Sequence, residues 1–280
     1  MFDIRGWNHR GTTGTRIRLS RIFNPGSGRA LVVPMDHSVT VGPLGASDHA
    51  DRTAGLLADA GADAVVVHKG RARTISPDRF ANMALIVHLS AGTDLSLDRT
   101  SKVLVGSVEE CLRLGADAVS VHVNVGSPTE AKQLVDFGAV ASECETLGVP
   151  LLAMMYARGP EMGSRTEIAE TLCHLAAIAT DLGADIVKLD YAGSVAAMNR
   201  VADTCPLPIL VAGGPTIGCD DDAVAFGREV CESRVAGLSF GRLIFDSDNP
   251  HRVAAELSQR LHSPQPLTAA TPLTSALESA

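Results

Sequence analysis

Lysine is nearly missing from this chain. Its 280 residues hold four, Lys69, Lys102, Lys132 and Lys188, against twenty arginines. Other scarcities exclude whole classes of protein. No basic run breaks a net charge of -8, so the cationic footprint of a nucleic-acid binder is missing and any anionic ligand must be held locally. No apolar stretch approaches the roughly 18 residues that span a bilayer, and the N-terminal residues contain no apolar signal-peptide core. No membrane partner and no secretion are therefore expected. Six cysteines are scattered without a CxxC pair or metal-ligand spacing and read as reduced thiols of a cytoplasmic protein. Aromatic residues make up only 4 %, which suits regular packing of Ala-, Gly- and Val-rich helices on a sheet.

What the chain does have is a recurring pattern. Eight short Val/Ile/Leu-rich runs are each followed by Gly or polar residues and then by an Ala-rich amphipathic stretch: 29–35, 63–68, 84–89, 117–123, 149–156, 185–190, 207–213 and 236–241. Three of them share an entry sequence, "AGADAVVVHKG", "LGADAVSVHVN" and "LGADIVKLDYA". In each, the Gly supplies a left-handed turn past a helix end, and the Asp is placed to hydrogen-bond in the tight loop before the strand. Eight strands without an obvious switch point predict an α/β fold, a single (β/α)8 barrel over residues 1–262. A doubly wound sheet is the rival arrangement. A helix is expected within "ARTISPDRFANM" (72–83), residues 1–14 read as loose, and the Pro/Thr/Ser-rich stretch 263–280 reads as a flexible tail.

In such a barrel the active site forms at the carboxyl ends of the strands. That rule selects Asp36 and His37, His68 and Lys69, His88, His122 and Asn124, Tyr156 and Arg158, Lys188 and Asp190, Gly213 and Gly214, and Gly241 and Arg242. Period-two alternation puts Ile186, Lys188 and Asp190 on one face of the sixth run and points Lys188 into the barrel. Burying an ammonium is costly, so a lysine in that position tends to shed its proton, and a neutral amine is a nucleophile suited to Schiff-base formation with a carbonyl. The blander account is a structural lysine paired with Asp190 or another carboxylate. Tyr156, one of two tyrosines, ends "LLAMMY", where a phenol can relay protons or simply close the mouth by packing. Asp36 in "PMDHS" needs either a cation or an acid/base task, and His37 beside it is either a ligand for a substrate oxygen or an ordinary exposed histidine. Glycines in "VAGGPT" and "SFGRLIF", with Arg242, stand in the two loops where this fold often binds phosphate. A metal site built from His68, His88 and His122 is a weaker alternative, since no HxH pair or carboxylate cluster accompanies them.

With those residues identified, the chain resembles the class I, Schiff-base aldolases of the archaeal fructose-bisphosphate aldolase and DeoC-like group, and within it the heptulosonate-synthase branch. The resemblance runs from about residue 16 to 262 and is carried by "RLSRIFNPGSGRALVVPMDHSVTVGP", "DAVVVHKG", "LIVHLSAGTDLS", "KVLVGSVEECLRLGADAVSVHVNVGS", "LLAMMYARGP", "DIVKLDYAGS", "ILVAGGP" and "GLSFGRLIF". It implies Lys188 as the Schiff-base lysine, Tyr156 and Asp36 as proton-transfer residues, and Gly213, Gly214, Gly241 and Arg242 as the phosphate cradle, with His37 and Arg158 beside the substrate. It further implies no cofactor and no metal, a phosphorylated ketose donor, a small aldehyde acceptor such as L-aspartate 4-semialdehyde, and a homo-oligomer, commonly a decamer of two pentamers. Three positions depart from the family pattern: Ser194 replaces an acidic residue, Ser38 a glycine and Ala157 a proline. Three rival functions stay open at this point. They are a fructose-bisphosphate aldolase, a coenzyme A-dependent, thiolase-like relative acting on a phosphorylated pentanedione, and a sugar-phosphate-binding barrel without catalysis.

Overall fold

Among the described residues ten strands form in chain order: β1 (Ala30–Pro34), β2 (Ala64–His68), β3 (Ala84–His88), β4 (Ser90–Ala91), β5 (Val103–Leu104), β6 (Ala118–Val125), β7 (Leu151–Ala157), β8 (Ile186–Leu189), β9 (Ile209–Ala212) and β10 (Gly237–Ser239). Eight of them close into a parallel ring in the order β1-β10-β9-β8-β7-β6-β3-β2, and helices cover its outside. This is the expected (β/α)8 barrel, with all eight apolar runs as its staves. The structure is a computed structural model and describes residues 11–159, 168–214 and 218–263. Residues 1–10 and the segment 264–280, read from sequence as loose ends, lie outside the described residues.

Alternation along each strand divides the core in two. Ala30, Val32, Val66, Ile86, Leu152, Met154, Ile186 and Leu210 fill the inside of the ring, while Leu31, Val33, Val65, Val87, Ala153, Val187 and Val211 face the helices. A strand buried on both faces needs apolar residues at successive positions, which is why the staves read as continuous runs. The amino end of the ring is stoppered by the helix Thr13–Ile22, whose Leu19 and Ile22, with the following Phe23, join the inner cluster. Thr12 caps that helix by accepting from the Thr15 N–H at 3.2 Å, and Arg21 meets Asp117 at 2.6 Å beneath the barrel. The loose segment expected through residue 14 therefore ends sooner, at this cap.

The three Gly-Ala-Asp entries are built alike. Gly61, Gly115 and Gly183 have φ of 80°, 84° and 91°, the left-handed region that only glycine enters at little cost. The aspartates do more than close their own loops. Asp63, Asp117 and Asp185 each accept, through Oδ2, the backbone N–H of a residue on the neighbouring strand: Leu31 at 2.6 Å, Leu85 at 2.9 Å and Leu151 at 2.9 Å. Each also donates its own N–H to the carbonyl of that same residue. Carboxylate and amide thus clasp β1 to β2, β3 to β6 and β7 to β8.

One expectation needs correction, and one feature is new. Between β2 and β3 there is no sustained helix over 72–83, only the single turns Lys69–Ala72 and Pro77–Phe80, because Pro77 removes an amide that a continuing helix would use. After β3 the chain leaves the ring to form the antiparallel pair β4–β5, unforeseen in sequence. Its loop is fastened by Thr100, whose carbonyl accepts from Asn124 Nδ2 at 2.7 Å and Gln133 Nε2 at 3.0 Å. No helix among the described residues is long and apolar enough to cross a membrane.

Candidate active site

At the carboxyl end of the ring the strands open into a cavity of about 520 Å³. Its wall includes eight of the nine sequence-derived site residues: His37, Tyr156, Arg158, Lys188, Gly213, Gly214, Gly241 and Arg242. The ninth, Asp36, sits behind it.

Lys188 reaches this position because strand alternation turns Val187 and Leu189 outward to the helices and leaves the lysine pointing inward, level with Met154 on one side and Leu210 on the other. It is 6 % exposed. The four lysines divide cleanly: Lys69 pairs with Glu110 at 2.9 Å and Lys132 with Asp136 at 2.5 Å, whereas Lys102 and Lys188 are buried with no ion pair among the described residues. Asp190 lies at the exposed rim and does not lock the Lys188 amine. The structural-pair account of Lys188 therefore finds no partner here, and its amine borders space large enough for a small carbonyl compound.

Tyr156 stands on β7, two residues beyond Met154 and so one inward layer above Lys188 on the adjacent strand. Its ring is sandwiched. The Arg158 guanidinium lies 4.3 Å from the ring centroid, and the His122 imidazole packs at 4.7 Å on a tilted plane. His122 donates through Nε2 to Asn124 Oδ1 at 2.8 Å, an orientation fixed by the amide's other end donating to Thr100. Burial holds that imidazole well below its ordinary pKa. The phenol is thereby fixed in place by neutral and cationic neighbours.

Asp36 is flanked by His37 Nδ1 at 3.6 Å and His88 Nε2 at 3.7 Å. Burial acts to raise its pKa, but His88, His37 and the Lys188 amine outweigh burial and keep the carboxyl below the usual range. His88 moves the other way, pushed down to about 4 chiefly by burial, and its Nδ1 lies 2.8 Å from Ser120 Oγ. At neutral pH this pair is a carboxylate beside an uncharged imidazole. His68 packs against His88 at 5.2 Å between ring centroids. Among the described residues no group of three or more His, Cys, Asp or Glu is arranged to hold a metal ion.

The opposite wall is made of backbone. Gly214 has φ 67°, and Gly241 approaches β1 so closely that a Cβ would lie 2.6 Å from the Pro34 carbonyl oxygen. Both positions demand glycine, and Arg242 directly follows the second. Tyr191 also borders the cavity, but its O–H donates to Glu229 at 2.7 Å and its ring meets Phe226, another residue of the wall.

Two residues escaped the sequence reading. Lys102, delivered by the β4–β5 excursion, is 8 % exposed and packs over Gly92. Burial and the nearby Arg158 lower its pKa. The scarcity of lysine that singled out Lys188 applied equally to Lys102, but nothing in its surroundings showed that an excursion would fold it inward. Ser239, inside the eighth run, carried no signal of its own.

A ring of eight parallel strands with a buried, unpaired lysine at its carboxyl mouth places the protein in the class of (β/α)8 enzymes. Comparison with known proteins narrows this to one family. Residues 30–247 match the model of the DeoC/LacD family aldolases, and the chain belongs to that family as a class I aldolase. It is 43 % identical over 247 residues, 88 % of this chain and 90 % of the other, to 2-amino-4,5-dihydroxy-6-oxo-7-(phosphonooxy)heptanoate synthase of Streptomyces griseus. It is 41 % identical over 249 residues to 2-amino-3,7-dideoxy-D-threo-hept-6-ulosonate synthase 1 of Archaeoglobus fulgidus, covering 89 % and 91 % of the two chains. Among solved structures it superposes on an archaeal fructose-1,6-bisphosphate aldolase, whose catalytic lysine is covalently bound to the carbinolamine intermediate of its substrate. The TM-score is 0.80 at 26 % identity, over 89 % of this chain and all of the other.

Proposed function

We propose that the protein condenses dihydroxyacetone phosphate with L-aspartate 4-semialdehyde through a Schiff base on Lys188. The observation that carries this reading is the buried Lys188 amine, free of any ion pair among the described residues and open to the cavity. The choice of substrates draws on the Streptomyces griseus relative. In the compound that names it, carbons 5 to 7 carry a hydroxyl, a ketone and a phosphate, which is a three-carbon ketose phosphate. Carbons 1 to 4 are those of an amino-acid aldehyde. Breaking the bond between carbons 4 and 5 returns these two substrates.

The Lys188 amine attacks the donor's C2 carbonyl, and loss of water from the carbinolamine leaves an iminium that draws electrons from C3. Removal of a C3 proton gives the enamine, whose C3 bonds to the aldehyde carbon; the new alkoxide takes a proton, and water then hydrolyses the iminium to free product and lysine. Tyr156, one layer above the amine, serves the proton transfers at C3 and at the alkoxide. Asp36 accepts the proton shed as the carbinolamine forms, returns it to the hydroxyl that departs as water and, ionised again, stabilises the iminium. Gly213, Gly214, Gly241 and Arg242 receive the phosphate, and His37 and Arg158 bind substrate oxygens. The reaction so written requires neither metal nor dissociable cofactor. A homo-oligomer in the cytoplasm completes the proposal.

Borohydride added with dihydroxyacetone phosphate is expected to reduce the iminium and leave a stable adduct on the Lys188 peptide, read by mass spectrometry. Lys188→Ala is expected to lose both adduct and turnover. Full activity in that variant would end the proposal. Product mass decides the substrates: the condensation product retains phosphate, whereas transfer from a deoxyketohexose phosphate, the reading closer to the Archaeoglobus relative, gives an unphosphorylated heptulosonate.

A further inference from the structure

The chemistry above leaves one polar atom of the cavity without a task. Ser239 ends β10, is 1 % exposed and lines the cavity, yet its Oγ has no hydrogen-bond partner among the described residues. Strand register locates it. Lys188 is level with Leu210 and Leu210 with Gly237, so Ser239, two residues further along β10, stands one inward layer above the lysine and two strands round the ring. Its direct neighbour on β9 is Ala212, followed by Gly213 and Gly214, and its own strand runs on to Gly241 and Arg242. The hydroxyl thus lies between the amine and the glycine turns.

A buried hydroxyl without a partner is destabilising. Filling this space needs no oxygen, as Ala212 shows at the same level. The unsatisfied O–H has a use only when something enters the cavity to accept it.

We propose that Ser239 is a substrate-binding residue whose O–H donates to the phosphate group of the donor while the donor's carbonyl carbon is held at Lys188. This rests on the Schiff-base reading above and deepens it. Phosphate recognition then has a side-chain contact below the backbone turns, on the path from the amine to those turns.

The test is Ser239→Ala, compared with wild type in three measurements. Melting of the free protein is expected to stay the same or rise, since the substitution removes an unsatisfied group. The KM for dihydroxyacetone phosphate is expected to rise about ten- to a hundredfold, the size of a lost hydrogen bond to a charged group, with kcat little changed. With unphosphorylated dihydroxyacetone as donor, kcat/KM is expected to be unchanged. A lower melting temperature means a structural hydroxyl and overturns the proposal. So does an equal loss with both donors, which would put the contact at the ketone or its hydroxyl, and so does no loss with either. Borohydride trapping on the wild type keeps the two readings separate: its absence defeats the aldolase reading alone. Ser239 is then judged by the melting-temperature rise that dihydroxyacetone phosphate gives in wild type, which the variant must lose if the proposal holds.

Discussion

His88 shows how much one buried side chain can fix. Its pKa lies at about 4 when folded, against about 6.5 when the chain is open, so the unfolded chain takes up a proton first as the solution is acidified. Its neutral form is accommodated at no such cost above pH 6.5, and stability is lost as pH falls from there to 4, by roughly 3 kcal/mol over that span. Asp36, depressed in the same site, stays ionised throughout this window and adds its own loss only below it. Denaturant titrations at successive pH values are expected to show this slope together with losses of the same sign from His37, His68 and His122, and His88→Gln to reduce it by the share of His88. A wild-type stability that stays level between pH 6.5 and 4.5 would contradict the assignment. Residues of this kind were only half legible. Strand ends pointed to Lys188, Tyr156 and Arg158, because position along a stave determines which face a side chain takes. Lys102 and Ser239 were not legible, since one depends on an excursion and the other on a hydroxyl that finds nothing to bond.

Among the elements, the Gly-Ala-Asp entries carry a testable load. Asp117 accepts the Leu85 N–H and meets Arg21, both at the amino end of the ring and far along the strands from the mouth. Asp117→Ala leaves a buried amide unpaired, and its expected cost is about 1–3 kcal/mol. Urea unfolding should register that loss while kcat/KM stays near wild type; the reverse pattern would mean that the clasp shapes the site. The repeat itself was plain in sequence, but its reach to the next strand was not, because a loop motif does not reveal which neighbour its carboxylate meets. Length explains the other misreadings. β4 and β5 span two residues each, too short for any alternation to register, and Pro77 breaks a stretch whose apolar pattern was already weak.

For the molecule as a whole, a net charge of -8 surrounds a mouth that holds Lys188, Arg158 and Arg242. A phosphorylated donor feels both. The contacts at the mouth are short and partly desolvated, so salt weakens them little, whereas repulsion from the distant surface carboxylates is screened as the Debye length shrinks from about 30 Å at 0.01 M to about 8 Å at 0.15 M. Added salt across that range is expected to raise kcat/KM modestly. A steep fall would show instead that the mouth's cations steer the donor from afar. The closed ring was the most legible feature of all, since eight apolar staves at regular spacing admit few other arrangements.

The clasps fall at alternate seams of the ring. Three couples of staves are held by an amide and a carboxylate together; in the fourth, β9 with β10, Ala236 occupies the aspartate's place and keeps only the amide link to the Ile209 carbonyl, at 2.8 Å. Transient opening begins where the fewest bonds must part. That seam runs up to Gly213 and Ser239, so an occupant bridging its upper end would supply a tie that the seam itself lacks.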